Sequence, residues 1–149
     1  MSYNALRKGR FSEPNRAYFI TAVTRERRPI FADLHTARLL IRDMRVLHDE
    51  GVVSSLAWVV MPDHLHWLFQ LGDNVSLEKA VGLLKGRSSR SINRHLSQGG
   101  SLWQAAYHDR ALREEEDLRE IARYIVANPL RAGLAASLTD YPLWDAEWL

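Results

Sequence analysis

Residues 64–71, HLHWLFQL, alternate with the two-residue period of a β-strand. Leu65, Trp67 and Phe69 share one side; His64 and His66 share the other. Ahead of them stand VVSSLAWVVM (52–61), rich in β-formers, and Pro62-Asp63, a tight-turn pair. Residues 52–71 are therefore predicted to form a hairpin. Its apolar side needs a covering layer of helices, which leaves the two imidazoles on the opposite face of the sheet.

The flanking segments supply that layer. AYFITAVTR (17–25) reads as a strand ended before Pro29. Asp33 can cap a helix running to about His48, with Leu34, Ala37, Ile41, Met44 and Leu47 or His48 on one stripe, and Gly51 stops it. Ser76 can cap a second helix from Leu77 to Leu96, with Leu77, Ala80, Val81 and Leu84 inward and Gly99-Gly100 beyond its end. LWQAAYHDRALR (102–113) reads as a fourth, less regular strand. The acidic run Glu114–Asp117 suits the N-terminus of a third helix, whose stripe is Leu118, Ile121, Ala122 and Ile125. The order β-α-β-β-α-β plus a terminal helix predicts an α+β, ferredoxin-like antiparallel sheet. Two helices cover one face, and the terminal helix is free to cover the other. The expected organisation is one domain over 1–149, with a core at about 14–135 and a tail, 136–149, packed back on the body.

The absence of cysteine excludes disulfides and Cys-based zinc sites. No apolar run is long enough to cross a bilayer, and MSYNALRKGRF lacks the apolar core of a signal peptide, so a cytoplasmic location is expected. The net charge is only +2, but its distribution is uneven. Basic residues bunch as Arg7, Lys8 and Arg10, as Arg25, Arg27 and Arg28, and on the second helix as Lys79, Arg87, Arg90 and Arg94. The last four fall in one sector opposite Leu77, Val81 and Leu84. These groups are candidates for phosphate contacts, with a solvated helix face as the alternative. Trp103 and Tyr107 could stack a base but are expected in the core.

Two imidazoles about 7 Å apart along a strand can converge on one metal ion. An HxH pair is short, however, and ordinary hydrogen-bonded histidines are the alternative. Asp63 is expected to shape the turn rather than to approach the pair, because alternation points it away. ARYIVANPLRAGL (122–134) offers further groups. Tyr124 and Asn128 lie one helical turn apart, at the edge of the apolar stripe. Pro129 holds Asn128 near a helix break and leaves a carbonyl one turn earlier without its donor.

PDHLHWL resembles the HUH motif, in which a bulky hydrophobe separates two histidines. YIVANPLRAGL resembles its partner helix, and WQAAYHDRALR lies between them. Together, over about residues 14–135, they are similar to the REP-associated tyrosine transposases of the single-tyrosine HUH superfamily. The resemblance implies that Tyr124 is a nucleophile that cuts single-stranded DNA, forming a 5′-phosphotyrosine link and releasing a 3′-hydroxyl. It implies His64, His66 and Asn128 as ligands of Mg or Mn, and a short DNA hairpin as the partner. It implies a monomer, with the dimer of insertion-sequence relatives as the alternative. Asn128 stands where many of those relatives carry glutamine; Asn before Pro is typical of the REP-associated branch.

Unperturbed phenols ionise near pH ~10 and are weak nucleophiles at neutral pH, so polarisation of the phosphate by a metal suits such a reaction. Two neutral imidazoles and an amide carry no negative charge, so the metal is expected to bind weakly until DNA phosphate joins it. Two other readings remain: a non-catalytic DNA-hairpin-binding module on the same scaffold, and a metal-dependent hydrolase of small phosphoesters.

Overall fold

The computed structural model describes residues 16–112, 115–137 and 140–146. The elements are β1 (Ala17–Val23), α1 (Leu34–Asp49), β2 (Val53–Met61), β3 (His64–Leu71), α2 (Leu77–Leu96), β4 (His108–Leu112), α3 (Glu115–Arg131) and β5 (Trp144–Ala146). The strands form one antiparallel sheet in the order β4-β1-β3-β2-β5. The first four have the ferredoxin-like arrangement; the tail adds β5 to the edge of β2.

The central hairpin folds as its pattern dictates. Met61 pairs with His64 across the two-residue turn Pro62-Asp63. That turn is pinned from outside, since Thr24 N–H donates to the Asp63 carbonyl (3.0 Å) and Phe31 N–H to the Pro62 carbonyl (3.0 Å). Leu65, Trp67, Phe69 and Leu71 are buried with residues of α1 and α2. Full burial of such side chains stabilises by about 2 kcal/mol each. A one-residue register slip would turn that set to the opposite face and force both imidazoles into the apolar layer, so the pleat fixes which face carries the site.

Helix α3 covers the other face. Its Ala122, Ile125 and Val126 pack with Ala57, Val59, Met61 and Leu68. A bulge between Ser55 and Ala57 sends Val59 and Met61 to this side, although Ser55, of the same parity, faces Trp67 and accepts its indole N–H (2.9 Å).

Both expected caps form: Asp33 accepts from Thr36 N–H at 3.1 Å and Ser76 from Lys79 N–H at 3.0 Å. Four details differ from the sequence expectation. Leu40 is buried on α1 while Leu34 is exposed, because the helix rotates Ala37, Leu40, Met44 and Leu47 inward. Residues 102–107 are not a regular strand; Leu102 and Trp103 are buried, Trp103 donates to Ser88 Oγ (2.9 Å), and only a Thr24–Trp103 bridge joins them to the sheet. Pro129 does not break α3, which continues to Arg131. Gly133, with φ of +73°, is the residue that lets the chain turn away. The tail enters the sheet itself, and Tyr141 donates to the Val60 carbonyl at 2.6 Å.

Candidate active site

Cross-strand partners share a face, so Thr21 on β1 and His108 on β4 stand in the same row as His66. The next row holds Arg110, Phe19 and Leu68. At the border of α3, this face carries both imidazoles and the phenol of Tyr124. The His64 and His66 ring centroids are 4.7 Å apart at an interplanar angle of 76°. The Tyr124 ring is 6.0 Å from His66 and 6.2 Å from Phe19. Tyr124 is 45% exposed and His66 only 8%, so the phenol is open to a ligand while the imidazole beneath it is walled in.

Each imidazole is fixed through Nδ1. His64 Nδ1 donates to Asp63 Oδ1 at 2.7 Å, and the other oxygen of that carboxylate accepts from Arg27 Nη1 at 3.0 Å. His66 Nδ1 is 2.8 Å from Thr21 Oγ1. Burial pushes His66 down to about 3, and the electrostatic influence of His64 and Arg131 acts the same way. The ring is therefore neutral at physiological pH. Burial alone would raise the Asp63 carboxyl, but hydrogen bonds from His64 and Arg27 hold it below the usual carboxylate range. Asp63 thus approaches the pair, contrary to the alternation argument, because it belongs to the turn and not to the strand.

Asn128 lies one turn beyond Tyr124 and is half-buried. Its Nδ2 donates to the Tyr124 carbonyl (3.0 Å) and to the Ile125 carbonyl (3.3 Å). The Ile125 carbonyl is the acceptor that Pro129 cannot serve, which explains how the helix passes through proline. With its nitrogen turned to the helix, the carboxamide keeps Oδ1 as its remaining polar atom.

These donors fit a divalent ion. In the tautomer whose Nδ1 protons face Asp63 and Thr21, both rings present Nε2 lone pairs, and neutral imidazole plus amide oxygen is a donor set that a divalent ion accepts. Among the described residues no three His, Cys, Asp or Glu side chains converge on a metal position.

The basic groups divide. Arg27 stands at the His64 end of the sheet on Asp63, with exposed Arg25 and half-buried Arg28 beside it in the chain. Lys79, Arg90 and Arg94 are exposed on α2, which covers the Trp67 face, so they stand across the sheet from the imidazoles. Arg87, on the same helix, is engaged with Glu50 at 2.8 Å. Arg7, Lys8 and Arg10 lie outside the described residues. Sequence reasoning missed Thr21, Asp63, His108, Arg110 and Arg131. The strand pairing would have revealed the rows of Thr21, His108 and Arg110, and the two-turn spacing from Tyr124 marks Arg131.

The family described as "Transposase IS200 like" matches residues 13–128. A REP-associated tyrosine transposase of Escherichia coli K12 is 26% identical over 127 residues, taking in 84% of this chain and 73% of its own length. A Haemophilus influenzae Rd protein assigned provisionally to the same group is 27% identical over 101 residues, 60% of this chain; the match spans only 56% of that relative's length. A solved REP-associated tyrosine transposase bound to a REP hairpin shares the fold, with a TM-score of 0.77 at 21% identity over 91% of this chain and 79% of that one. Among the described residues no helix is long and apolar enough to cross a membrane. The family match runs through His64, His66, Tyr124 and Asn128, and the chain belongs to the IS200-like transposase family.

Proposed function

We propose that this protein cuts and rejoins single-stranded DNA at REP-type hairpins, with Tyr124 as nucleophile. The observation that carries the reading is the exposed phenol at 6.0 Å, ring to ring, from a neutral, buried imidazole that is itself paired with His64. His64, His66 and Asn128 would hold Mg or Mn, which supplies Lewis-acid polarisation of the scissile phosphate.

Tyr124 Oη attacks the scissile phosphorus in line, and the phosphorus bond to the departing 3′ oxygen breaks. The phenolic proton is released as the new ester forms, and the departing oxygen takes up a proton. The products are a 5′-phosphotyrosine and a free 3′-hydroxyl. The phosphodiester energy is kept in the covalent link, so attack by a 3′-hydroxyl rejoins a strand without ATP. Asp63 and Thr21 keep the imidazoles oriented throughout.

The scissile strand lies on the Tyr124 face, where Arg25, Arg27, His108 and Arg110 can meet its phosphates. Lys79, Arg90 and Arg94, across the sheet, would meet only the part of a hairpin that extends around the domain. Arg7, Lys8 and Arg10 are further phosphate candidates.

End-labelled hairpin DNA with a single-stranded flank, incubated with Mn or Mg, tests the reading. Wild type should give a protein–DNA adduct that survives denaturant, and Tyr124→Phe should give none. Hairpin binding with no adduct from wild type would leave a DNA-binding module instead, and phosphate release indifferent to Tyr124 would point to a hydrolase.

A further inference from the structure

Arg131 is two turns beyond Tyr124 and turns back onto it. Its Cζ lies 4.2 Å from the centre of the phenol ring, and its Nη2 donates to the Tyr124 carbonyl at 2.8 Å. The guanidinium is thus anchored at one nitrogen while its carbon lies over the ring, a two-point contact that suits arginine's forked, planar group better than the single ammonium of lysine. The ring is bounded elsewhere by the edge contacts to Phe19 and His66.

We propose that Arg131 is a positioning residue for Tyr124: it holds the phenol in the one side-chain conformation that places it beside the imidazole pair. An exposed tyrosine on a helix otherwise has two ordinary choices of χ1, and nothing in the backbone selects between them. Phe19 and His66 meet the ring only edge-on, at ring-to-ring distances near 6 Å, and neither is bonded to the tyrosine. Arg131, closer and tethered to the tyrosine's own carbonyl, removes that freedom. A misplacement of about 1 Å at a reacting atom is enough to slow chemistry about a hundredfold. Because the tether is to backbone of the same helix, the positioning exists before DNA arrives.

The inference rests on Tyr124 being the nucleophile, and its test is arranged so that the two fail separately. Arg131→Gln and Arg131→Lys are compared with wild type in single-turnover adduct formation and in hairpin affinity. Both variants should form adduct at least about tenfold more slowly with affinity within about threefold of wild type, since lysine keeps the charge but not the forked group that reaches ring and carbonyl together. Affinity falling in step with rate, or full rescue by lysine, would make Arg131 a phosphate contact and overturn the proposal. A second measurement does not depend on activity. Protein made with 3-fluorotyrosine gives a fluorine resonance for residue 124, identified by its loss in Tyr124→Phe. In both Arg131 variants that resonance should shift and narrow as the ring gains freedom; an unchanged resonance would overturn the proposal even if wild type formed no adduct.

Discussion

Thr21 Oγ1 and His66 Nδ1 are 2.8 Å apart across the β1–β3 pair, and this bond closes off the buried end of the imidazole. A buried ring nitrogen left without a partner costs about 1–3 kcal/mol. Removal of such an outer partner typically weakens a metal site about 10–100-fold. Thr21→Val, nearly the same shape, should therefore lower stability by about that amount in urea unfolding. It should also reduce Mn affinity by at least about tenfold in calorimetry. Wild-type values for both would mean that the hydroxyl merely fills space.

Asp63 is tied to His64 on one oxygen and to Arg27 on the other. The carboxylate is only half-buried and Arg27 is exposed, so as an ion pair it adds little to folding. Its larger effect is on the ring of His64, whose Nδ1 it claims so that Nε2 stays available. Asp63→Asn should leave the melting temperature within a few degrees of wild type and slow adduct formation about tenfold. Excess Mn should restore part of the loss. A variant that melts early but reacts normally when folded would assign Asp63 to the turn alone.

The depressed His66 makes the metal-free protein sensitive to acid. In the unfolded chain this histidine takes up a proton near its ordinary value of 6.5, and in the folded protein only near about 3. Between those values the unfolded state holds more protons, so stability rises with pH and is lost as pH falls from about 6.5 toward about 3. Asp63 and Asp33, both lowered, act in the same direction but only below about pH 4. Unfolding measured in chelator between pH 6.5 and 4.5 should slope by up to about 1 kcal/mol per pH unit. His66→Gln should flatten that slope, and an equal slope in the variant would place the acid sensitivity elsewhere.

Much of this arrangement was legible because it is set locally. The two-residue period of β3 decided which face carries His64 and His66. The caps Asp33 and Ser76 fixed where the helices of the opposite layer begin. What escaped depends on contacts between distant segments. The strand expected over 102–107 is replaced by a loop in which Lys85 Nζ donates to the Gln104 carbonyl at 2.8 Å and Trp103 reaches Ser88. Helix α3 survives Pro129 because Asn128 supplies the missing donor, a role the Asn-Pro pair alone reads as a helix end. Asp63 reaches His64 because a turn residue is not bound by strand alternation. The sector of Lys79, Arg90 and Arg94 was correct as geometry. Their side of the sheet, away from the imidazoles, follows from the same placing of this helix over Trp67.

The donor set also sets how metal and DNA depend on each other. His66 is neutral and Asn128 is an amide, so these two bring no negative charge to a dication. Asp63, the carboxylate bonded to His64, is itself paired with Arg27. A Mg or Mn ion on these groups alone would be poorly balanced and would keep most of its water. A DNA phosphate would supply both charge and oxygen ligands, so each partner should strengthen the other by the same factor. Calorimetry of Mn into Tyr124→Phe, which binds without reacting, should give at least about tenfold tighter binding with hairpin DNA present than without. The hairpin should in turn bind more tightly with Mn by the same ratio. Equal Mn affinity in both conditions would show that the protein groups satisfy the ion unaided, and the coupling would then be absent.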